Sequence, residues 1–143
     1  MFAIAIWDSR DNSLLLARDR IGEKPLLYCE TTAGNLVFAS EMRAIFAFGV
    51  KSKVDESQIG NFLRLGYLNS PETIISGVKT LPPAHLLKFK DGKANIVRYW
   101  QLPEFKEKQI NKAAAVELIS EALENAVARK ANSGANLITL FEE

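Results

Sequence analysis

The sequence is poor in the residues on which metal binding and nucleophilic catalysis depend. Its 143 residues include one cysteine, Cys29, and one histidine, His85. A single cysteine excludes an internal disulfide and a thiolate metal cluster, and it fits a reducing, cytoplasmic setting. His85 lies in a proline-rich segment without a nearby nucleophile, which favours a structural role. Because metal-ligand spacings and phosphate-binding glycine motifs are also lacking, we expect no metal site and no catalytic residue.

The chain also lacks an excess of charge of either sign. Lys and Arg total 18 and Asp and Glu total 17, for a net charge of +1. Nucleic acids and anionic membranes both select clustered cations, so neither is expected as a partner. The apolar segment 2–7 is too short for a signal peptide or a membrane span. The composition, 48% hydrophobic and 24% charged, is that of a globular domain.

The first 39 residues alternate apolar runs with turn residues. Segment 2–7 is apolar on both alternating sets, which predicts a strand covered on both faces. A turn at 8–12 leads into a second apolar run, which predicts a hairpin. Segments 26–29 and 36–39 predict another pair of strands across a glycine-containing turn. Together these segments predict a continuous meander.

Capping residues predict two helices after this meander. Ser40 is expected to cap a short helix that ends at Gly49, with Glu41 favoured by the helix dipole; alternatively, Glu41 places a carboxylate at a site. The second helix begins after Asp55, which with a glutamine three residues later forms a variant capping box, and it ends at Gly66.

The remaining sequence predicts a hairpin, a linker and a further helix. Asp91 and the glycine after it lie between apolar runs, which is typical of a hairpin turn. Residues 103–110 combine proline with charge and are the best candidate for a linker. Asn111 is expected to cap a long helix, and 137–141 is expected to be a buried strand. A helix and one strand cannot close a layer, so the chain looks truncated.

Charged residues are concentrated just after the second predicted strand. Arg18, Asp19 and Arg20 are followed closely by Gly22 and Lys24. Such a group either holds an anion or locks two loops together by bidentate pairing. Because charges in loops are usually solvated or internally paired, a structural role as an ion-pair network is the favoured interpretation.

The other residues whose side chains could react or bind a ligand have ordinary structural interpretations. Cys29 lies in an apolar run without an adjacent cation, which favours a buried and unreactive thiol. Trp7, Tyr99 and Trp100 flank predicted strands and are more typical of a core than of a ligand site.

Several segments, in this order and spacing, closely resemble the glutamine-hydrolysing asparagine synthetase family. The resemblance covers most of residues 1–130. The segments are residues 1–8 (MFAIAIWD), 17–28 (ARDRIGEKPLLY), 38–44 (FASEMRA), 65–67 (LGY), 73–85 (TIISGVKTLPPAH) and 98–103 (RYWQLP).

The resemblance implies an α+β fold in two parts. Residues 1–102 would be the second half of a class II glutaminase domain, a partial αββα sandwich of the N-terminal-nucleophile type. Residues 103–110 would be a linker, and 111–143 the first helix and strand of an α/β synthetase domain. In such enzymes, ammonia released from glutamine passes through a tunnel to the synthetase domain. There, ATP and Mg²⁺ activate aspartate for amidation.

The departures from the family predict that this chain alone is inactive. The family's nucleophile is a leading cysteine that uses its own α-amine as base, whereas Met1 stands here and Cys29 lies mid-chain. Residues 141–143 replace the family's phosphate-binding loop, and their two carboxylates would repel ATP. By resemblance, Met1 matches a methionine of the ammonia tunnel and Leu140 a leucine close to the nucleotide.

Two alternatives remain open at the level of sequence. The leading interpretation is a fragment of an asparagine synthetase. The alternatives are a non-catalytic module of the same fold that binds a complementary chain, and a fragment of a related amidotransferase with another amide acceptor. The module hypothesis predicts a broad exposed apolar face, larger than monomeric proteins usually tolerate.

Overall fold

The protein is described by a computed structural model that covers residues 1–104 and 110–131. The chain divides into two compact units, Met1–Leu102 and Pro103–Glu143. The described part of the first unit contains seven strands and two helices. These are β1 (Ala3–Asp8), β2 (Ser13–Arg18), β3 (Leu27–Glu30), β4 (Leu36–Ala39), α1 (Met42–Ala47), α2 (Glu56–Leu65), β5 (Val78–Thr80), β6 (His85–Lys90) and β7 (Lys93–Arg98).

The strands form two antiparallel sheets. One has the order β1-β2-β6-β7, and the other has the order β4-β3-β5. The predicted continuous meander is therefore wrong, because β2 and β3 belong to different sheets. Each hairpin is completed by a strand from far along the chain: Leu16 in β2 pairs with Leu87 in β6. Such long-range pairing leaves no local signal in the sequence.

The first unit consists of layers, and a hydrophobic cluster lies between each pair of neighbouring layers. The first cluster joins the two sheets and includes Leu16, Leu87 and Tyr28. The second lies between the three-stranded sheet and α1, and it includes Cys29 and Ile45. The side chains of Tyr28 and Cys29 thus point to opposite faces of β3, as expected for successive residues of a strand. An α+β fold with antiparallel sheets is confirmed.

The turn and cap signals around α2 and β6 are largely confirmed. Asp91 and Gly92 both have positive φ, +50° and +72°, as a tight hairpin turn between β6 and β7 requires. Asp55 accepts a hydrogen bond from the Ser57 amide at 3.0 Å. In a full capping box, the side chain of the glutamine three residues later would accept from the Asp55 amide. That part of the prediction is wrong, because the Asp55 amide donates to the Ile74 carbonyl at 2.9 Å.

The predicted Ser40 cap is also wrong. α1 begins at Met42, and Glu41 occupies its N-cap position with extended backbone and no capping hydrogen bond from its side chain. The Glu41 carboxylate instead accepts from Arg43 Nε at 2.6 Å. Because the backbone is still extended at Glu41, the helix begins one residue later than predicted, and Ser40 does not occupy the N-cap position.

The interpretation of β1 as covered on both faces is wrong for the described chain. β1 is an edge strand that pairs only with β2. Its side chains are largely exposed: 40% for Ile4, 54% for Ile6 and 59% for Trp7, so Trp7 is not a core residue. Ile4 and Ile6 share the outer face of the four-stranded sheet with Val97 of β7, which is 52% exposed. Beside Lys88 and Asn95, that face of the sheet therefore carries apolar side chains that the described residues leave exposed.

The second unit is described through α3 (Lys112–Ala131). The Asn111 side chain accepts from the Ala114 amide at 2.9 Å, which confirms the predicted cap. The predicted strand at 137–141, Leu140 and most of the predicted linker lie outside the described residues. Strand β5, which lies between Pro71 and Pro82, is an element that the sequence pattern does not predict. No helix in the described ranges is both long and apolar enough to cross a membrane.

Candidate functional site

The charged loop that follows β2 is built around the carboxylate of Asp19. This side chain is buried, with 4% of its residue surface exposed. Five backbone N–H groups donate to its two oxygens, at 2.7 to 3.3 Å. The donors are the amides of Ile21, Gly22 and Glu23 to Oδ1 and those of Lys24 and Phe2 to Oδ2.

These donors determine the charge of Asp19. Burial by itself raises the pKa of a carboxyl group, because it penalises the ionised form. Here the hydrogen bonds from the amides of Lys24, Glu23, Gly22 and Phe2 outweigh burial and hold the pKa of Asp19 well below its usual range. Asp19 is therefore ionised at any physiological pH, and its charge is neutralised by peptide dipoles instead of a cation.

Arg18 is the complementary hub for backbone carbonyls. Its guanidinium donates from Nε to the Lys24 oxygen at 2.8 Å, from Nη1 to the Leu81 oxygen at 2.7 Å, and from Nη2 to the Gly22 oxygen at 2.7 Å. Burial lowers the pKa of Arg18, and the nearby Asp19 charge offsets part of that effect. In the same loop, Arg18 thus donates to backbone carbonyls, and Asp19 accepts from backbone amides.

Gly22 is required where this loop turns. Its φ is +76°, and a Cβ atom placed there would lie 2.8 Å from Pro83 Cγ and 3.2 Å from Arg18 Cζ. A side chain would therefore collide with the segment before β6 and with the guanidinium. Only glycine satisfies both the backbone conformation and the space.

Further hydrogen bonds tie the loop to distant parts of the first unit. The Asp19 amide donates to the Phe2 carbonyl at 3.0 Å, and the Ala84 amide donates to the Asp19 carbonyl at 2.9 Å. The Tyr99 hydroxyl donates to the Arg18 carbonyl at 2.8 Å. The beginning of β1, the loop, and the segments flanking β6 and β7 are therefore joined at one point, which we call the Arg18–Asp19 hub.

The hub is organised differently from the expected ion-pair network. None of the ion pairs formed within 1–104 and 110–131 includes Arg18, Asp19, Arg20 or Lys24. Arg18 and Asp19 direct their polar atoms to backbone groups of the protein. A carboxylate saturated by amides and a guanidinium bound to carbonyls leave little capacity for an external anion. The geometry supports the loop-locking alternative, with backbone groups in place of charged partners.

The other predicted residues are dispersed. Arg20 lies outside the hub, with its Cζ 5.5 Å from the centroid of the Trp100 ring. Met1 is 61% exposed and precedes Phe2, whose backbone is bound on both sides by Asp19. Ser40 and Glu41 lie between β4 and α1, on the other sheet. The contributions of Phe2, Tyr99 and the 81–84 segment to the hub were missed, because no local pattern predicts such distant partners.

The two residues with nucleophilic or acid–base potential are bound structurally. Cys29 is 6% exposed, and burial raises the pKa of its thiol, which favours the unreactive protonated form. His85 Nδ1 lies 2.6 Å from the Pro83 carbonyl. Within the described ranges, no group of three or more His, Cys, Asp or Glu residues is arranged to hold a metal ion.

Comparison with known proteins defines the class of this domain. Residues 1–100, which include both sheets and the hub, match the glutamine amidotransferase domain family. Since that match covers well over half of the 143 residues, the chain belongs to the glutamine amidotransferase domain family.

The similar curated proteins are mostly glutamine-hydrolysing asparagine synthetases. The chain is 39% identical over 104 residues to asparagine synthetase 3 of Bacillus subtilis, covering 71% of this chain and 17% of that protein. It is 31% identical over 137 residues to a putative asparagine synthetase of Mycobacterium tuberculosis, covering 90% of this chain and 21% of the relative. These matches confirm the resemblance found in the sequence.

A third relative has a different name, the amidase chyE of Penicillium rubens. It is 28% identical over 123 residues, covering 85% of this chain and 18% of that protein. The chain thus spans about a fifth of the length of the curated relatives it matches.

Proposed function

We propose that this chain supplies the second half of the glutaminase domain of an asparagine synthetase. In the whole protein, ammonia released from glutamine would amidate aspartate in a reaction driven by ATP. The observation that carries the proposal is the match to the glutamine amidotransferase family over residues 1–100, the same residues that form the two packed sheets. The 39% identity to a glutamine-hydrolysing asparagine synthetase supports the choice of amide acceptor.

The proposed contribution of residues 1–102 is a scaffold for the αββα sandwich. The sheet–sheet–helix order of the first unit would supply three of the four layers. The exposed apolar side chains on the outer face of the four-stranded sheet, such as Ile6 and Val97, are suited to packing against a further layer of helices. Residues 103–110 would then be the linker, and 111–143 the start of the synthetase domain.

The described residues have no suitable nucleophile of their own for glutamine hydrolysis. Cys29 is buried in the middle of β3, so it has neither access to substrate nor a free α-amine to serve as base. Met1 is proposed to line the ammonia tunnel, in a position set by the Asp19 bonds to the Phe2 backbone. The chain alone is therefore expected to release no ammonia from glutamine.

The family's ATP and Mg²⁺ are not assigned to the described residues. The described ranges contain no cluster suited to a metal, and Leu140, proposed to lie near the nucleotide, is outside them. No step of the proposal uses a nucleotide bound to residues 1–104. A cytoplasmic location and a complementary chain that carries the catalytic cysteine are further parts of this proposal.

A different amide acceptor is the second candidate. The observation that supports it is the 28% identity to a relative named as an amidase, chyE, and not as an asparagine synthetase. The shared glutaminase scaffold would be the same in either case.

A chimaeric enzyme tests the proposal. Residues 1–102 would replace the matching segment of the Bacillus subtilis asparagine synthetase 3, and asparagine formation would be measured with glutamine and, separately, with ammonium as nitrogen donor. We expect both activities to persist. Introducing Asp19→Ala should reduce the glutamine-dependent rate much more than the ammonium-dependent rate, because the hub lies in the glutaminase half.

The ammonium-dependent rate is the internal control for folding and for the synthetase reaction. A chimaera that retains it but has lost all use of glutamine would contradict the proposal. So would ammonia release from glutamine by the isolated 143-residue chain above a heat-treated control.

A further inference from the structure

A shallow groove beside the Arg18–Asp19 hub carries two arginines that the hub does not use. The groove has a volume of about 380 Å³, and its lining includes Arg20, Arg98, Trp100, Gln101 and Leu102. Arg98 is the last residue of β7, so the groove lies at the end of the four-stranded sheet where Ala3 pairs with Arg18 and His85 with Arg98.

Both arginines are exposed, and neither has an acidic partner among the described residues. Other arginines do: Arg10 pairs with Asp8 at 2.7 Å, and Arg43 pairs with Glu41 at 2.6 Å. Within 1–104 and 110–131, no ion pair includes Arg20 or Arg98. The groove therefore concentrates two guanidinium charges that no carboxylate within 1–104 or 110–131 pairs with.

One of these charges lies against the ring of Trp100. The Arg20 Cζ lies 5.5 Å from the centroid of the indole ring, within the range of a cation–π interaction. A guanidinium positioned in this way loses less conformational freedom when it binds a carboxylate through two parallel hydrogen bonds. Arginine and tryptophan are also the residue types that contribute most to protein–protein binding.

We propose that this groove, formed by Arg20, Arg98 and Trp100, binds an acidic segment of a partner polypeptide. The positive charge selects a carboxylate side chain, and the neighbouring Leu102, which is 73% exposed, offers an apolar contact beside it. A small organic anion suits the groove less well, because small-molecule sites usually enclose most of the ligand. The groove lies on residues 1–102, but the proposed glutaminase role makes no use of this surface, and the inference does not depend on that role.

Tryptophan fluorescence of the full chain tests the proposal. The chain has two tryptophans, so a Trp7→Phe background leaves Trp100 as the single reporter. The probe is the peptide acetyl-Leu-Glu-Leu-Glu-Leu-amide, and we expect a saturable change in Trp100 emission. Arg20→Gln and Arg98→Gln should each weaken binding about tenfold or more, as expected for loss of a charge-assisted hydrogen bond. Arg20→Lys should also weaken it, because lysine lacks the planar pair of donors.

Lys93→Gln is the matched control, since Lys93 is an exposed cation at the opposite end of β7. It should leave peptide binding unchanged, and circular dichroism would check the fold of every variant. The proposal is overturned if the peptide gives no saturable change, or if the corresponding glutamine peptide binds equally well. It is also overturned if Lys93→Gln weakens binding as much as the arginine variants. Binding of inorganic phosphate as strongly as the peptide would show a general anion site and overturn the assignment to a polypeptide.

Discussion

Arg18 and Arg20 are two residues apart, yet the fold places them in opposite environments. Arg18 is 9% exposed, and its guanidinium donates to three backbone carbonyls from two segments of the chain. Arg20 is exposed, lies against Trp100, and borders an open groove with a second unpaired arginine among the described residues.

The difference shows that the partners of a charge, and not its residue type, determine its role. A buried charge is tolerated only when its polar atoms form hydrogen bonds. Removing one side chain of the hub therefore leaves buried backbone groups without a hydrogen-bond partner. An exposed arginine is already solvated and contributes little to stability. We therefore expect the hub to control folding and the groove to control binding.

The largest effect is expected from removing the Asp19 carboxylate. Asp19→Ala removes a carboxylate that accepts from five backbone N–H groups, of which, among the described residues, only that of Gly22 keeps a second acceptor, the Asp19 carbonyl, and it should lower the free energy of unfolding by about 3 kcal/mol or more. Urea denaturation followed by circular dichroism would measure it. The matched control is Asp11→Ala, whose carboxylate is partly exposed and contacts Lys88 and Lys90. Its loss of stability should be much smaller than that of Asp19→Ala, and equal losses for the two variants would contradict the hub.

Gly22→Ala tests whether the hub is as tightly packed as its geometry indicates. The new Cβ meets Pro83 Cγ at 2.8 Å and adopts a positive φ, so we expect a loss of about 2 to 3 kcal/mol. Gly34 is a matched control, because its φ is nearly the same at +77° but nothing lies within 4 Å of a Cβ there. Gly34→Ala should cost only the backbone strain, about 1 kcal/mol. Thermal unfolding of the two variants side by side would measure the difference, and a smaller loss at Gly22 would refute the packing argument.

The pH dependence of stability is the third test of the hub. The pKa of Asp19 is lowered on folding, so its ionised form stabilises the fold fully above the unfolded-state pKa of about 3.9. That stabilisation is lost as the pH falls below this value toward the folded-state pKa. Urea denaturation at pH 6 and pH 3 should therefore show a larger loss on acidification for the parent chain than for Asp19→Asn. An equal loss in both would mean that Asp19 is not the titrating group.

The features that sequence analysis predicted correctly are specified by residues close together in the chain. The turn at Asp91–Gly92 and the caps at Asp55 and Asn111 act over a few positions, and the structure confirms them. The division into two sheets depends on pairs such as Leu16 with Leu87, which no local pattern reveals. The apolar character of β1 was visible, but its exposure depends on what covers it in space.

The candidate site follows the same rule. The charged residues of the loop could be identified from the sequence, because Arg18, Asp19 and Gly22 stand close together. Their function as a hub could not, since the Leu81 carbonyl and the Phe2 amide come from distant segments. The sequence predicted an ion-pair network. In the structure, the loop wraps around the Asp19 carboxylate, so that the backbone amides of residues 22–24 are its partners instead of cationic side chains.

The most direct test of this account compares Arg18→Gln with Arg20→Gln in the same urea denaturation experiment. We predict that Arg18→Gln lowers the free energy of unfolding by about 2 to 3 kcal/mol, because buried carbonyls lose a charged donor. Arg20→Gln should change it by less than about 0.5 kcal/mol, as is usual for an exposed side chain. Similar values for the two variants, or a larger loss for Arg20→Gln, would contradict the separation of folding and binding roles.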